Sequence, residues 1–543
     1  APIISILVIA AFPQENIWPH LISTVLPGYV SETLKLMAGV GIITLVVGTG
    51  TAWLVTIYSF PGRRLLEWLL LVPLAMPTYI IAYAYVDLLE YSGPVQSGLR
   101  ALFGWQTTRD YWFPEIRSLS GAIAVMSGVL YPYVYLTARA AFTQQSACLL
   151  EAARTMGHSL GATFRYVALP LARPAIAVGV ILALMEAMND VGAVEYFGVD
   201  TLTAGVYATW LQKSNLGGAA QISAVMLVFV FVLIGIERRA RRGRRSHQTT
   251  SRFRTPVRTP LGGARAWAAT AVCGAPVLLG FAVPGVVLAG LSVGSFTVQN
   301  TSLLAAQAVN SLTLAAIAAT GAVVIGLFLS YANRISPTAP LRLAVRVASI
   351  GYAVPGTVLA IGILVPLAWL DNTVDAGMRQ VFGLPTGLLL TGTIFSLSYA
   401  YVVRFMAISY GAIDAGLGRA SPNMHAAARS LGRSPFGALR EVHLPMITPA
   451  LATAALLVFV DSMKELPATL LLRPFNFDTL ATHVYTYASL GQVEDVALGA
   501  LAIVVVGILP VLALNRTIAA RSGGVGQLPG FVGLGKSRNQ KLI

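Results

Sequence analysis

Apolar runs of about 18 residues or more, each bounded by charge or by Pro and Gly, recur along the whole chain. They predict membrane helices near residues 33–60, 65–90, 118–143, 172–193, 217–236, 266–291, 310–332, 343–370, 385–412, 446–465 and 495–515. The stretch Pro2–Phe12 is equally apolar, but it is too short to span and stops at Pro13, Gln14 and Glu15. With Ala1 as the first residue, it reads as the end of a twelfth span that has lost its N-terminal half. It shows neither the basic n-region nor the small-residue cleavage site of a secretory signal peptide.

The pattern repeats. EAARTMG at Glu151–Gly157 aligns at an offset of 275 with AAARSLG at Ala426–Gly432, and the register holds through Leu169 and Pro170 against Leu444 and Pro445. Over Glu151–Ala193 there are 15 identities in 43 positions, where unrelated apolar sequences would give roughly 3 to 5. After a three-residue insertion the register resumes at an offset of 278, pairing Tyr207 with Tyr485. At that offset Pro2–Phe12 maps onto the second half of the segment Ala266–Leu291, which supports a truncated first span. The expected fold is therefore all-α and polytopic, with two tandem bundles of about six helices. Residues 1–236 form the first and 266–516 the second, separated by a linker at 237–265 and followed by a tail at 517–543. Both halves carry the same loop on the same side, so the repeats are parallel about an axis along the membrane normal.

Composition agrees. Of 543 residues, 56% are apolar and 11% charged, well below the roughly 25% charge of soluble domains. Two cysteines are too few for a disulfide framework or a Cys-rich metal site. The net charge of +15 could be read as a nucleic-acid footprint, but its placement argues otherwise. Sorted by alternating loops, 29 of the 37 basic residues and only 5 of the 22 acidic ones fall on one side, including the arginines of 237–265 and of Arg404–Arg440. The positive-inside rule makes that side cytoplasmic, with the linker and C-terminus on it, and no nucleic-acid partner is implied.

The loops 144–171 and 419–446 each read as a short helix, a Gly break (Gly157, Gly432) and a second short helix ending at Leu-Pro. The spacing Glu151, Ala152, Ala153, Gly157, Val167, Leu169, Pro170 resembles the Glu-Ala-Ala loop of the permease subunits of binding-protein-dependent ABC importers. The resemblance implies that Glu151, Ala152, Ala153, Gly157, Leu169 and Pro170, with Ala426, Ala427, Ala428, Gly432, Leu444 and Pro445, form two coupling helices that dock on cytoplasmic ATPases. The second copy departs at Ala426, which replaces the leading Glu. Further stretches look closer to the fused ferric-iron permeases of this type: MPTYIIAYAYVD at Met76–Asp87, YSGPVQS at Tyr91–Ser97, YFGVD at Tyr196–Asp200, GYAVPG at Gly351–Gly356 and KELPATLLLRPFNFD at Lys464–Asp478. This likeness covers nearly the whole chain. It implies an inner-membrane permease working with two copies of an ATPase subunit and a periplasmic iron-binding protein, with ferric iron as transported substrate.

Ionisable groups inside spans are costly and are functional candidates. Glu186 and Asp190 lie four apart on one helix face, and Asp461 and Glu465 stand at the same 275 offset. Hard cations prefer oxygen ligands, so these four could form a transient acidic ring that passes an ion. The alternative is that they mark helix ends, with Lys464 or Asn189 as partners. Tyr79, Tyr83, Tyr131, Tyr133, Tyr135, Tyr399 and Tyr401 are further oxygen donors, although interfacial belts explain most such tyrosines. Pro77 and Pro355, matched at an offset of 278, mark either unwound backbone along a pathway or packing kinks.

The literal match to the Gly-x4-Gly-Lys-Ser/Thr nucleotide loop, Gly530–Ser537, lies in the tail with no strand-like run before it, so no nucleotide site is read from it. The chain is thus expected to be no enzyme and to bind no cofactor itself, leaving ATP and Mg to the partner ATPase. Import of another solute, such as thiamine, a phosphonate or an inorganic anion, remains open. So does an ion-coupled secondary transporter, which would have no use for the duplicated loop.

Overall fold

The computed structural model describes residues 2–13, 15–145, 147–241, 258–294, 298–418 and 422–522. Among the described residues twelve principal helices fall into two sets of six. The first set is α1 (Pro2–Ala11), α2 (Leu26–Ile57), α3 (Thr78–Leu89), α4 (Leu119–Thr143), α5 (Leu160–Asn189) and α6 (Leu216–Ala240). The second is α7 (Gly263–Val293), α8 (Thr301–Ile335), α9 (Gly356–Phe382), α10 (Ile394–Leu417), α11 (Pro435–Met463) and α12 (Val493–Ser522). Among the described residues eight helices are long and apolar enough to cross a membrane, or nine if the bent segment before and including α3 is one span. The chain is an all-α, multi-pass membrane protein. Helix α10 misses that apolar threshold because serines, tyrosines and Arg404 dilute it.

Two expected spans are not continuous helices. The run expected over 65–90 splits into a helix at Arg63–Leu69, a 3-10 turn at Val72–Ala75 and α3, with a bend of 93°. The run expected over 343–370 splits likewise, into Ala339–Ala348, a 3-10 turn at Gly351–Ala353 and α9. Proline is the cause. A residue before Pro is pushed out of the helical region, and Met76 (ψ 116°) and Val354 (ψ 126°) are both extended, so Pro77 and Pro355 each become the N-cap of a new helix.

The repeated loops differ from expectation in one respect. The second short helix does not stop at Leu-Pro. It passes through a π turn, Phe164–Ala168 in one copy and Leu439–His443 in the other, and continues as the span. The π turn shifts the hydrogen-bond register just where Pro170 and Pro445 lack an N–H to donate.

The halves exchange their first helices. Helix α1 packs on α6 of its own half and on α9 of the other, and α7 packs on α12 of its own half and on α3 of the other. One large buried cluster accordingly joins Met76–Val86 and Val125–Leu130 to Met463, Leu466, Leu480–Tyr485 and Val496–Val504. Helix continues past α6 to Arg241, inside the expected linker, and Thr259–Pro260 pairs in parallel with Tyr58–Ser59 before α7 starts. The arginine run at 242–257, residues 419–421 of the second loop and the tail from 523 lie outside the described residues.

Candidate functional site

All four carboxylates line one cavity between the halves, which encloses about 740 Å3 of empty space, its open mouth included. Spacing of four on a helix separates two residues by about 6 Å along its axis. Glu186 and Asp461 therefore form a layer nearer the repeated loops, and Asp190 and Glu465 a layer beyond it. The nearer layer is partly exposed and the farther one is buried.

Each carboxylate has a separate partner. Asp190 Oδ1 accepts the backbone N–H of Ala193 (2.8 Å) and its Oδ2 the hydroxyl of Thr78. Glu465 Oε1 accepts the N–H of Ala468 (3.1 Å), and its Oε2 pairs with Arg404 Nε at 3.1 Å, both side chains 5% exposed. Glu186 accepts from the Tyr352 hydroxyl at 2.5 Å, and Asp461 pairs with Lys464 at 2.8 Å. The ring and the helix-end readings thus describe the same residues. Asp190 and Glu465 each accept an N–H from the first turn of the short helix that follows the span, and all four line the cavity. Among the described residues no three His, Cys, Asp or Glu side chains are grouped closely enough to hold a metal ion, so the ring is no ready-made chelate.

Pro77 lines the cavity beside Thr78 and Tyr79, whereas Pro355 is buried and does not line it. Of the candidate tyrosines Tyr79 and Tyr133 line the cavity. Tyr131 and Tyr135 are buried in a separate core that the first half shares with α7, and Tyr401 bonds Thr469 at 2.5 Å. Sequence reasoning missed Tyr352 and misplaced Arg404. Arg404 was assigned to a cytoplasmic flank, but it is 4% exposed and lies in the cavity wall. The one basic residue in the middle of an expected span was the available signal.

Beyond the farther layer, on the side away from the repeated loops, aromatic groups close the interface. Tyr79, Tyr83 and Tyr196 follow one another with centroids 6.0 and 4.5 Å apart. The Tyr485 hydroxyl donates to Glu195 of the other half (2.6 Å) and lies 3.1 Å from that of Tyr207, its own repeat equivalent. Contact between equivalent residues places this pair on the pseudo-twofold axis.

The repeated loops are matched structures. Helices Ala147–Thr155 and Pro422–Ser430 end at Gly157 (φ 89°) and Gly432 (φ 78°), and Ser159 and Ser434 then cap the next turns. Those two capping serines are repeat equivalents that the motif left out. Glu151, Ala152, Ala426 and Ala427 are exposed, while Ala153 and Ala428 are buried. Leu169, Pro170 and Leu444 are half-buried and Pro445 exposed, at the join to the spans. At the tips Met156 and Leu431, again equivalents, are 79% and 80% exposed. The anchors beneath differ. Trp53 packs on Phe142 and Phe164 under the first loop, where Tyr331, His425 and His443 cluster under the second.

Residues 44–245 match the family of binding-protein-dependent transport system inner membrane components. The chain is 25% identical over 493 residues to the Fe(3+)-transport system permease protein FbpB 2 of Haemophilus influenzae, covering 90% of this chain and 89% of that one. Over residues 44–245 the chain is thus similar to that family, and over nine-tenths of its length to a permease named for Fe(3+) transport. A second relative, the ferric transport system permease protein FbpB of Actinobacillus pleuropneumoniae, is 24% identical over 93% of this chain and 74% of its own. The putative 2-aminoethylphosphonate transport system permease protein PhnV of Salmonella typhimurium is 31% identical, but over 28% of this chain and 57% of its own. The family match lies in the first half of the permease, and the 275-residue repeat carries the same loop and cavity wall into the second.

Proposed function

We propose that this permease moves ferric iron from a periplasmic binding protein into the cytoplasm by ATP-driven alternating access. The observation that carries the reading is the cavity on the pseudo-twofold, which holds four carboxylates against two cations and so keeps a formal charge of −2. Hard trivalent cations take oxygen ligands. The two relatives that match over nine-tenths of this chain carry ferric transport in their names. The same cavity disfavours oxyanions, which like-charge repulsion would expel.

The loops 144–171 and 419–446 face the cytoplasm in this reading, each docking one copy of an ATPase subunit through its exposed tip and the residues around Glu151 or Ala426. Catalysis and nucleotide belong to that subunit. The aromatic closure at Tyr79, Tyr83 and Tyr485 is then the periplasmic seal, so the conformation is closed outward with the Glu186 and Asp461 layer on the cytoplasmic side. ATP-driven closure of the ATPases draws the loops together and opens the seal. It shifts the equilibrium only by its differential affinity for the two states. The test is reconstitution with the ATPase and the binding protein in proteoliposomes, with ATP-dependent uptake of radioactive ferric iron expected. Uptake of thiamine, a phosphonate or molybdate in place of iron would overturn the ferric assignment.

A further inference from the structure

The two walls of the cavity are not chemically equivalent. Helices α5 and α11 correspond at an offset of 275, so Glu186 matches Asp461, Asp190 matches Glu465, and Asn189 matches Lys464. Helices α4 and α10 start from N-caps Ser118 and Thr393 at the same offset, which sets Val129 opposite Arg404. The second half therefore supplies a fixed cation for each of its carboxylates, and the first half supplies none. Moreover, Asn189 is 3% exposed and lines the cavity with neither amide atom hydrogen-bonded, and the Tyr79 hydroxyl, in a residue 4% exposed, is likewise unpartnered there. Buried polar atoms without partners are rare and call for an explanation such as an absent ligand.

We propose that the transported cation is received on the first-half wall only, by the carboxylates of Glu186 and Asp190, the amide oxygen of Asn189 and the hydroxyl of Tyr79. Lys464 and Arg404 keep the opposite wall permanently occupied. In this arrangement Lys464 is a tethered cation standing where the second half would otherwise hold an ion. Two carboxylates and two neutral oxygens make a weak seat for a hard ion. A weak seat suits a pathway that must release what it binds.

The proposal rests on the ferric reading, and its test separates the two. The purified chain is titrated with terbium, a hard trivalent ion whose luminescence is sensitised through nearby tyrosine, and reconstituted uptake is measured in parallel. Asn189→Lys, which places on the first wall the ammonium found on the second, is expected to weaken terbium binding and iron uptake at least tenfold. Asn189→Met, with no charge to misfold around, is expected to weaken both in the same direction. Asp190→Asn is expected to abolish the tyrosine-sensitised signal, whereas Asp461→Asn retains it and Lys464→Asn strengthens it by opening a second seat. Equal losses for Asp190→Asn and Asp461→Asn, or unimpaired terbium binding in both Asn189 variants, would overturn the one-sided seat while leaving an iron importer intact. A wild-type chain that binds terbium but imports no iron would instead sink the ferric reading.

Discussion

Arg404 and Glu465 show how a buried ion pair is held in place by the cost of breaking it. Both side chains are 5% exposed, and removing one partner of such a pair strands the other charge, at about 3–5 kcal/mol. Arg404→Met is therefore expected to lower the thermal midpoint of the detergent-purified permease sharply. The double substitution Arg404→Met with Glu465→Gln should recover most of the loss, because Gln keeps the oxygen that caps Ala468. A double variant no better than the single one would show that the pair is not the source. Tyr485 sits at a second polar junction, between Glu195 and Tyr207. A hydrogen bond to a charged group contributes about 1.5–3 kcal/mol, so Tyr485→Phe should favour the outward-open state by roughly tenfold to a hundredfold. Spin labels at Met156→Cys and Leu431→Cys would report that as a larger population with the loops close together. At this scale the sequence revealed the four carboxylates because the repeat printed each pair twice. It hid Arg404 and Tyr352, since neither has a polar equivalent in the other half, and charge sorting by loop places any unpaired arginine outside the membrane.

The helices show which local signals carry structural meaning. Pro77 and Pro355 could mark either a kink or unwound backbone, and a proline alone does not say how far the chain turns. The break at each proline is local, but how far the first-half copy turns, 93°, goes with the seat of α3, whose Thr78 donates to Asp190 of the farther carboxylate layer, a contact no local pattern encodes. The loop glycines were legible because both copies need a left-handed residue at the same place. At Gly157 (φ 89°) a Cβ costs about 1–2 kcal/mol in backbone strain although the space around it is open. Gly157→Ala should thus leave the membrane bundle folded while misdirecting the exposed tip at Met156. The expected result is about tenfold weaker binding of the ATPase subunit, read by titration against the purified permease, with an unchanged thermal midpoint. Unaltered ATPase affinity would remove the loop's geometry from the docking argument.

At the scale of the molecule, the exchange of first helices makes the linker a matter of assembly more than of cohesion. Helix α1 lies on α9 so closely that a Cβ at Gly362 would stand 2.4 Å from the carbonyl oxygen of Pro2. On the reciprocal side a Cβ at Gly280, in α7, would stand 2.1 Å from that of Gly128 in α4. Both contacts are backbone against backbone, which small residues permit between membrane helices where no hydrophobic drive separates lipid from protein. Each half therefore grips the other with its own first helix, independently of the covalent connection. A protease site placed between Arg241 and Arg258 and cut after purification should leave the two halves migrating together in gel filtration and still supporting ATP-dependent uptake. The same cut in a Gly280→Leu, Gly362→Leu background should release them, because the larger side chains force both arms off their seats. Halves that separate on cleavage without those substitutions would show that the linker holds the bundles together and that the exchanged helices are too weakly seated to do so.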